Sequence, residues 1–134
     1  MKIRELIGTL RELGGAQGDA RVFLFEDGKA GQWPATLVRP ATPGENQRAG
    51  NKTGVRMAVV TTGEGEELTL RSLVQRLKRG WPENGNVCAG VFEGDDGIKV
   101  GDIRAPEWRF LKQFSGSPSE ERVVAIAIRY SAPG

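Results

Sequence analysis

The sequence predicts an α+β fold, a mainly antiparallel sheet carrying two helices on one face. Three observations predict it: two stretches with apolar residues at helical spacing, several β-prone runs bounded by glycine and acidic turns, and an approximate internal repeat. Offsetting the chain of 134 residues by half its length, 67, lays Ile3, Leu6, Ile7 and Leu10 on Leu70, Leu73, Val74 and Leu77. The same offset lays Leu24-Phe25-Glu26 on Val91-Phe92-Glu93 and Met57-Ala58-Val59 on Val124-Ala125-Ile126. Identities are few (Arg4/Arg71, Leu6/Leu73, Leu10/Leu77, Phe25/Phe92, Glu26/Glu93, Ala58/Ala125), so the order and register of the elements carry the repeat. Two explanations stay open: a duplication with pseudo-symmetric helix-β-β-β halves at 1–67 and 68–134, or two similar units produced by ordinary patterning.

Lys2 to Leu13 reads as an amphipathic helix, because Ile3, Leu6, Ile7, Leu10 and Leu13 form one apolar stripe at 3.6 residues per turn, and Gly14-Gly15 ends it. Arg21 to Glu26 is apolar on both faces, the mark of an interior strand. Gln32 to Arg39 follows as a second strand, at an edge or bulged where Pro34 lacks a donor. Pro40 to Gly54 has no periodicity and is rich in Pro, Gly, Asn, Thr and Gln, so a mobile loop is expected. Val55 to Thr62 returns to strand character.

A second helix is expected from Leu70 to Arg79, with Thr69 as N-cap and Gly80 as its stop. Asn86 to Glu93 and Ile98 to Arg104 form a hairpin around Gly94-Asp95-Asp96-Gly97. Within Ala105 to Phe114, Pro106 suits the first turn of a short helix, with Trp108, Leu111 and Phe114 on one face. Arg122 to Tyr130 is β-prone and apolar on both sides, the strand expected at the sheet centre.

The length suits one domain able to bury a core without disulfide or metal. Cys88, the single cysteine, excludes an internal disulfide and a multi-cysteine zinc site, and is compatible with a reducing compartment. The opening residues alternate in charge and no run approaches the ~20 apolar residues of a membrane span. A soluble cytoplasmic protein without a membrane partner is expected. With 19 basic and 17 acidic residues there is no strong overall field.

The chain has no histidine, which removes the usual general base near neutral pH and the commonest zinc ligand. No catalytic spacing draws its carboxylates, lysines, Tyr130 or Cys88 together, so no catalytic residue, metal ligand or cofactor is expected. Glu93, Asp95, Asp96 and Asp102 offer hard oxygens for Mg²⁺ or Ca²⁺, but their spacing fits no calcium loop, and Asp and Gly favour plain turns. Cys88 among Val87, Ala89 and Val91 reads as a buried, inert thiol.

Binding signals are stronger. Between Leu68 and Pro82 the only charges are Arg71, Arg76, Lys78 and Arg79, a basic helix that also complements its own macrodipole. Arg39, Arg48, Lys52 and Arg56 flank or occupy the expected loop, where they either contact a nucleic-acid backbone or are simply solvated. Trp81 and Trp108 lie near element ends, where tryptophan either anchors a protein partner or packs under a loop, as Trp33 also can.

The opening Lys2-Ile3-Arg4-Glu5-Leu6-Ile7, then Asp19-Ala20-Arg21-Val22 and the acidic turn Glu26-Asp27-Gly28, resembles small uncharacterised bacterial and phage proteins that begin with an E-L-I-x-x-L helix and a D-A-x-V strand. The resemblance implies a phage or prophage accessory protein and transfers no catalytic residue. The function expected is therefore non-enzymatic binding of a host or viral protein, with a homo-oligomer open. A nucleic-acid-binding module using helix 70–79 and loop 39–56 is the alternative, and a metal-dependent hydrolase or nuclease comes third.

Overall fold

The computed structural model describes residues 1–14, 17–29, 31–51, 56–92, 97–112 and 118–130. Its elements are α1 (Ile3–Gly14), β1 (Val22–Glu26), β2 (Gln32–Pro34), β3 (Leu37–Pro40), α2 (Pro43–Arg48), β4 (Ala58–Thr61), α3 (Leu70–Gly80), β5 (Val87–Phe92), β6 (Ile98–Ile103), β7 (Glu107–Lys112) and β8 (Pro118–Arg129). The strands form one curled sheet in the order β2-β1-β8-β6-β5-β4-β3, with β7 also paired to β8.

The architecture is α+β, but the sheet is mixed rather than mainly antiparallel. β1 runs parallel to β8, with Val22 opposite Val124, and β4 runs parallel to β5, with Ala58 opposite Val87. Sequence order alone suggested hairpins, because neighbouring strands usually pair. Here the first strand of each half instead takes the last strand of the other half as its parallel neighbour.

Two kinds of antiparallel pairing also occur twice, while that of β6 with β8 has no counterpart between β2 and β4. Leu24 faces Trp33 across β1–β2 and Ala89 faces Gly101 across β5–β6; Arg39 faces Val59 across β3–β4 and Glu107 faces Ala125 across β7–β8. Ahead of the helices the backbone hydrogen bonds match as well. Ile3 N donates to Gly85 O and Leu70 N to Ala20 O, both at 2.9 Å, while Val87 N donates to Met1 O and Val22 N to Leu68 O, both at 3.0 Å. The gapless offset of 67 nevertheless fails in the strands, where the matching pairings are displaced by one or two residues, and Phe25 is 5% exposed whereas Phe92, at the end of β5, is 58% exposed.

Three further expectations are corrected. The run 32–39 is two short strands, because the chain crosses at Ala35 and Thr36 from β1 to β4: Ala35 N donates to Val22 O and Thr36 N to Thr61 O. Pro34 sits on β2, an edge strand of the sheet, as its missing donor requires. The stretch 40–54, expected to be a mobile loop, contains α2, whose N-cap Thr42 and Glu45 form a reciprocal capping box. Within the segment 105–114, Glu107–Lys112 is strand β7 rather than a short helix; pairing with β8 packs Trp108 and Leu111, both partly buried, against the core clusters, and Phe114 lies outside the described residues.

α1 and α3 lay their apolar stripes on one face of the sheet. Ile3, Leu6, Leu10, Leu73 and Leu77 are fully buried with Val22, Leu24, Ala58, Val60, Val124, Ile126 and Ile128 in a continuous core. Alternate strand residues point to the opposite face, where two smaller clusters form: Phe23, Phe25, Val123 and Ala125 with Leu111, and Met57, Val59 and Cys88 with Ala41 and Val100. β8 is central, as expected, and pairs with β1, β6 and β7.

Candidate functional site

The helical face carries the clearest charge pattern. α3 spends its apolar stripe (Leu70, Leu73, Val74, Leu77) on the core, so Arg71, Arg76, Lys78 and Arg79 all project to solvent. Thr69 caps the helix, accepting from Ser72 N at 3.2 Å, and its side chain also donates to Ser72 Oγ at 3.1 Å. Arg11 of α1 joins Arg71 and Lys78 along a groove of about 410 Å³ between the helices, floored by Leu70 and Val74. Among the described residues no carboxylate lines this groove. Arg71 contacts exposed Asp19 at 3.0 Å, a pair weak enough to be exchanged. α1 is mixed in charge, with exposed Glu5 and Glu12 beside Arg4 and Arg11, so the positive field centres on α3.

The basic residues of 39–56 do not form one patch with α3. Arg39 is held by Glu45, and Arg48 is exposed at the end of α2 on the sheet face opposite the helices. Arg56 does reach the helical side, its guanidinium 5.5 Å from the ring of Trp81, the residue that follows α3. Lys52 lies outside the described residues.

Trp81 and Trp108 are half-buried against the main core, and Trp33 packs there too. Arg122 covers the Trp108 ring at 4.8 Å. The buried Trp81 Nε1 has no hydrogen-bond partner among the described residues. The large exposed apolar side chains are instead Phe92 and Phe110, at 58% and 55%. Strand alternation could have flagged Phe92, since Val91 beside it points into the core.

On the opposite sheet face a cavity of about 650 Å³ lies beside the C-terminal end of α2, at Arg48 and Ala49. Met57, Cys88 and Val100 supply apolar wall, while Arg48, Lys99, Asp102 and Tyr130 supply polar wall. Lys99 Nζ sits 4.3 Å from the centre of the Tyr130 ring, a cation–π contact. Asp102 accepts from the Met1 amino group at 3.1 Å. Asn86 Nδ2 donates to Asn51 Oδ1 at 2.9 Å and Asn51 Nδ2 to Asn46 Oδ1 at 2.7 Å, tying α2 to the start of β5. Burial pushes the Cys88 thiol up to about 12, so it is protonated at neutral pH and is no nucleophile.

Of the acidic hairpin, residues 93–96 lie outside the described residues. Among the described residues no group of three or more His, Cys, Asp or Glu is placed to hold a metal ion, and no helix is long and apolar enough to cross a membrane. No family model matches the chain, and no curated protein or solved structure does so either.

Proposed function

We propose that this protein is a non-enzymatic binding module that docks a polyanionic macromolecule, nucleic acid, on the face formed by α3 and its groove with α1. The observation that carries this reading is the groove lined by Arg11, Arg71 and Lys78, with no carboxylate among its described lining residues and only the exposed, exchangeable Asp19 pair on Arg71, continued by exposed Arg76 and Arg79. Cations on one rigid helix track a phosphate backbone without reading bases, so binding is sequence-tolerant and releases condensed counterions.

The same face supports reading the chain as a duplicated unit. At an offset of 67, Arg4 corresponds to Arg71 and Arg11 to Lys78, and the doubled strand pairings differ from that offset by only one or two residues. Each helix then presents a pair of cations seven residues apart, about 10 Å along the axis. Short length changes in the turns account for the mismatch of Phe25 with Phe92.

Fluorescence anisotropy with labelled DNA and RNA oligonucleotides tests the binding. With about four phosphate contacts, affinity falls roughly a hundredfold between about 50 and about 200 mM salt, and charge reversal at Arg71 and Lys78 removes about half of that slope. No binding at low salt, or binding untouched by the reversals, sinks the proposal. Exposed Phe92 and Phe110 favour a second reading, a protein partner. Capture of a defined partner that is lost on replacing either phenylalanine with Ser, and is insensitive to salt, decides for it.

A further inference from the structure

Resting on the nucleic-acid reading of the α3 face, we infer that residues 17–20 position Arg71 for it: Gly18 seats the guanidinium, and the Asp19 carboxylate holds the place of a backbone phosphate until nucleic acid displaces it. Three contacts join the arginine to this turn. The Arg71 main-chain N–H donates to Gly18 O at 2.9 Å, tying the first turn of α3 to the chain before it. The Arg71 side chain lies over the same glycine, where a Cβ would stand 2.8 Å from Nη2 and 3.1 Å from both Cζ and Nε. Nη1 donates to Asp19 Oδ1 at 3.0 Å.

The two residues of the turn have separate roles. Gly18 is buried and its φ is not positive, so its missing side chain serves the close approach of the guanidinium rather than a backbone conformation. Asp19 and Arg71, with side chains 89% and 60% exposed, can part without disturbing the core. A carboxylate accepting from a guanidinium reproduces the charge and geometry of a phosphate contact. The pair therefore keeps the guanidinium at the groove wall it shares with Arg11 and Lys78. The other helix supplies a comparison. Arg4, 67 residues earlier, has its main-chain N–H on Glu83 O at 3.1 Å, but the residue after Glu83 is the uncharged Asn84. Among the described residues the Arg4 side chain makes no ion pair, so the carboxylate placeholder belongs to the α3 arginine.

The probe is a short labelled DNA duplex, titrated by anisotropy at low salt against the full chain. Asp19→Asn removes the competing carboxylate and tightens binding about threefold, the size of one exposed ion pair. Gly18→Ala pushes the guanidinium off its seat and weakens binding by a similar factor. That variant does not lower the melting temperature, because the added methyl meets only the end of a flexible side chain. Both effects vanish in an Arg71→Ala background, whereas a general change of surface field at Asp19, or general damage at Gly18, persists there. Duplex binding that is unchanged in either variant, or shifts that survive in Arg71→Ala, overturn the positioning role and leave the nucleic-acid reading standing. Absence of any binding by the wild-type chain overturns both.

Discussion

Arg39 and Glu45 form a two-pronged ion pair, Nη1 to Oε1 and Nη2 to Oε2, both at 2.7 Å, with the Glu45 side chain 9% exposed. The same carboxylate accepts from Thr42 N at 2.9 Å, so one residue both caps α2 and pins it to β3. Hydrogen bonds from the Arg39 guanidinium hold the Glu45 carboxyl below its ordinary 4.5. Glu45→Gln is expected to lose about 1–3 kcal/mol at neutral pH. Because the folded value is depressed, the stabilisation is complete above 4.5 and fades as pH falls through the lower folded value. Denaturation of both proteins from neutral pH into the acid range should show curves that converge only below that point; a constant gap would contradict the assignment.

Leu6 and Leu73 are both fully buried, one on each helix. Leu6→Ala and Leu73→Ala should each cost about 2–5 kcal/mol in denaturant melts, by lost transfer energy and the cavity left behind. A silent substitution at either site would mean that its helix does not pack on the sheet as described.

Gly90 lies on β5 facing β6, and Gly101 on β6 beside β8. A Cβ on Gly90 would stand 2.8 Å from Lys99 O, and one on Gly101 2.8 Å from Arg129 O, both backbone atoms that side-chain rotation cannot move. Alanine at either position should cost about 1–3 kcal/mol through overpacking. Wild-type melting temperatures in both variants would refute this close approach.

The Cys88 thiol, 3% exposed and pushed up to about 12, should react with a disulfide reagent far more slowly in native protein than in denaturant. Equal rates in the two states would place the thiol outside the core.

The helices were legible because Ile3, Leu6, Leu10 and Leu70, Leu73, Leu77 repeat at a local period that only one backbone geometry satisfies. β1 and β8 were legible as interior strands because apolar residues on both faces leave no side for water. Which strand neighbours which was not written locally: Val22 opposite Val124 is a contact between chain ends, and no short-range pattern encodes a parallel partner. α2 escaped notice because its stability comes from Thr42, Glu45 and distant Arg39 rather than an apolar stripe. In the candidate site, α3's four cations were readable as a charge run. Arg11 joining them needed the packing of α1 against α3.

The crossed pairing of the halves has a consequence for biosynthesis. β1 leaves the ribosome about a hundred residues before β8, an interval of several seconds at roughly 5–20 residues per second. Throughout it, the hydrogen-bonding edge of β1 that β8 will occupy has no partner, while Leu68 and Thr69, which meet its start, emerge some forty-six residues after it. The nascent chain therefore carries an apolar, pairing-competent strand through most of its synthesis, and two such chains on one polysome can satisfy it by exchange. Strand exchange between neighbouring chains is the misassembly this crossed pairing invites, and β8 of the same chain is what closes that edge of β1.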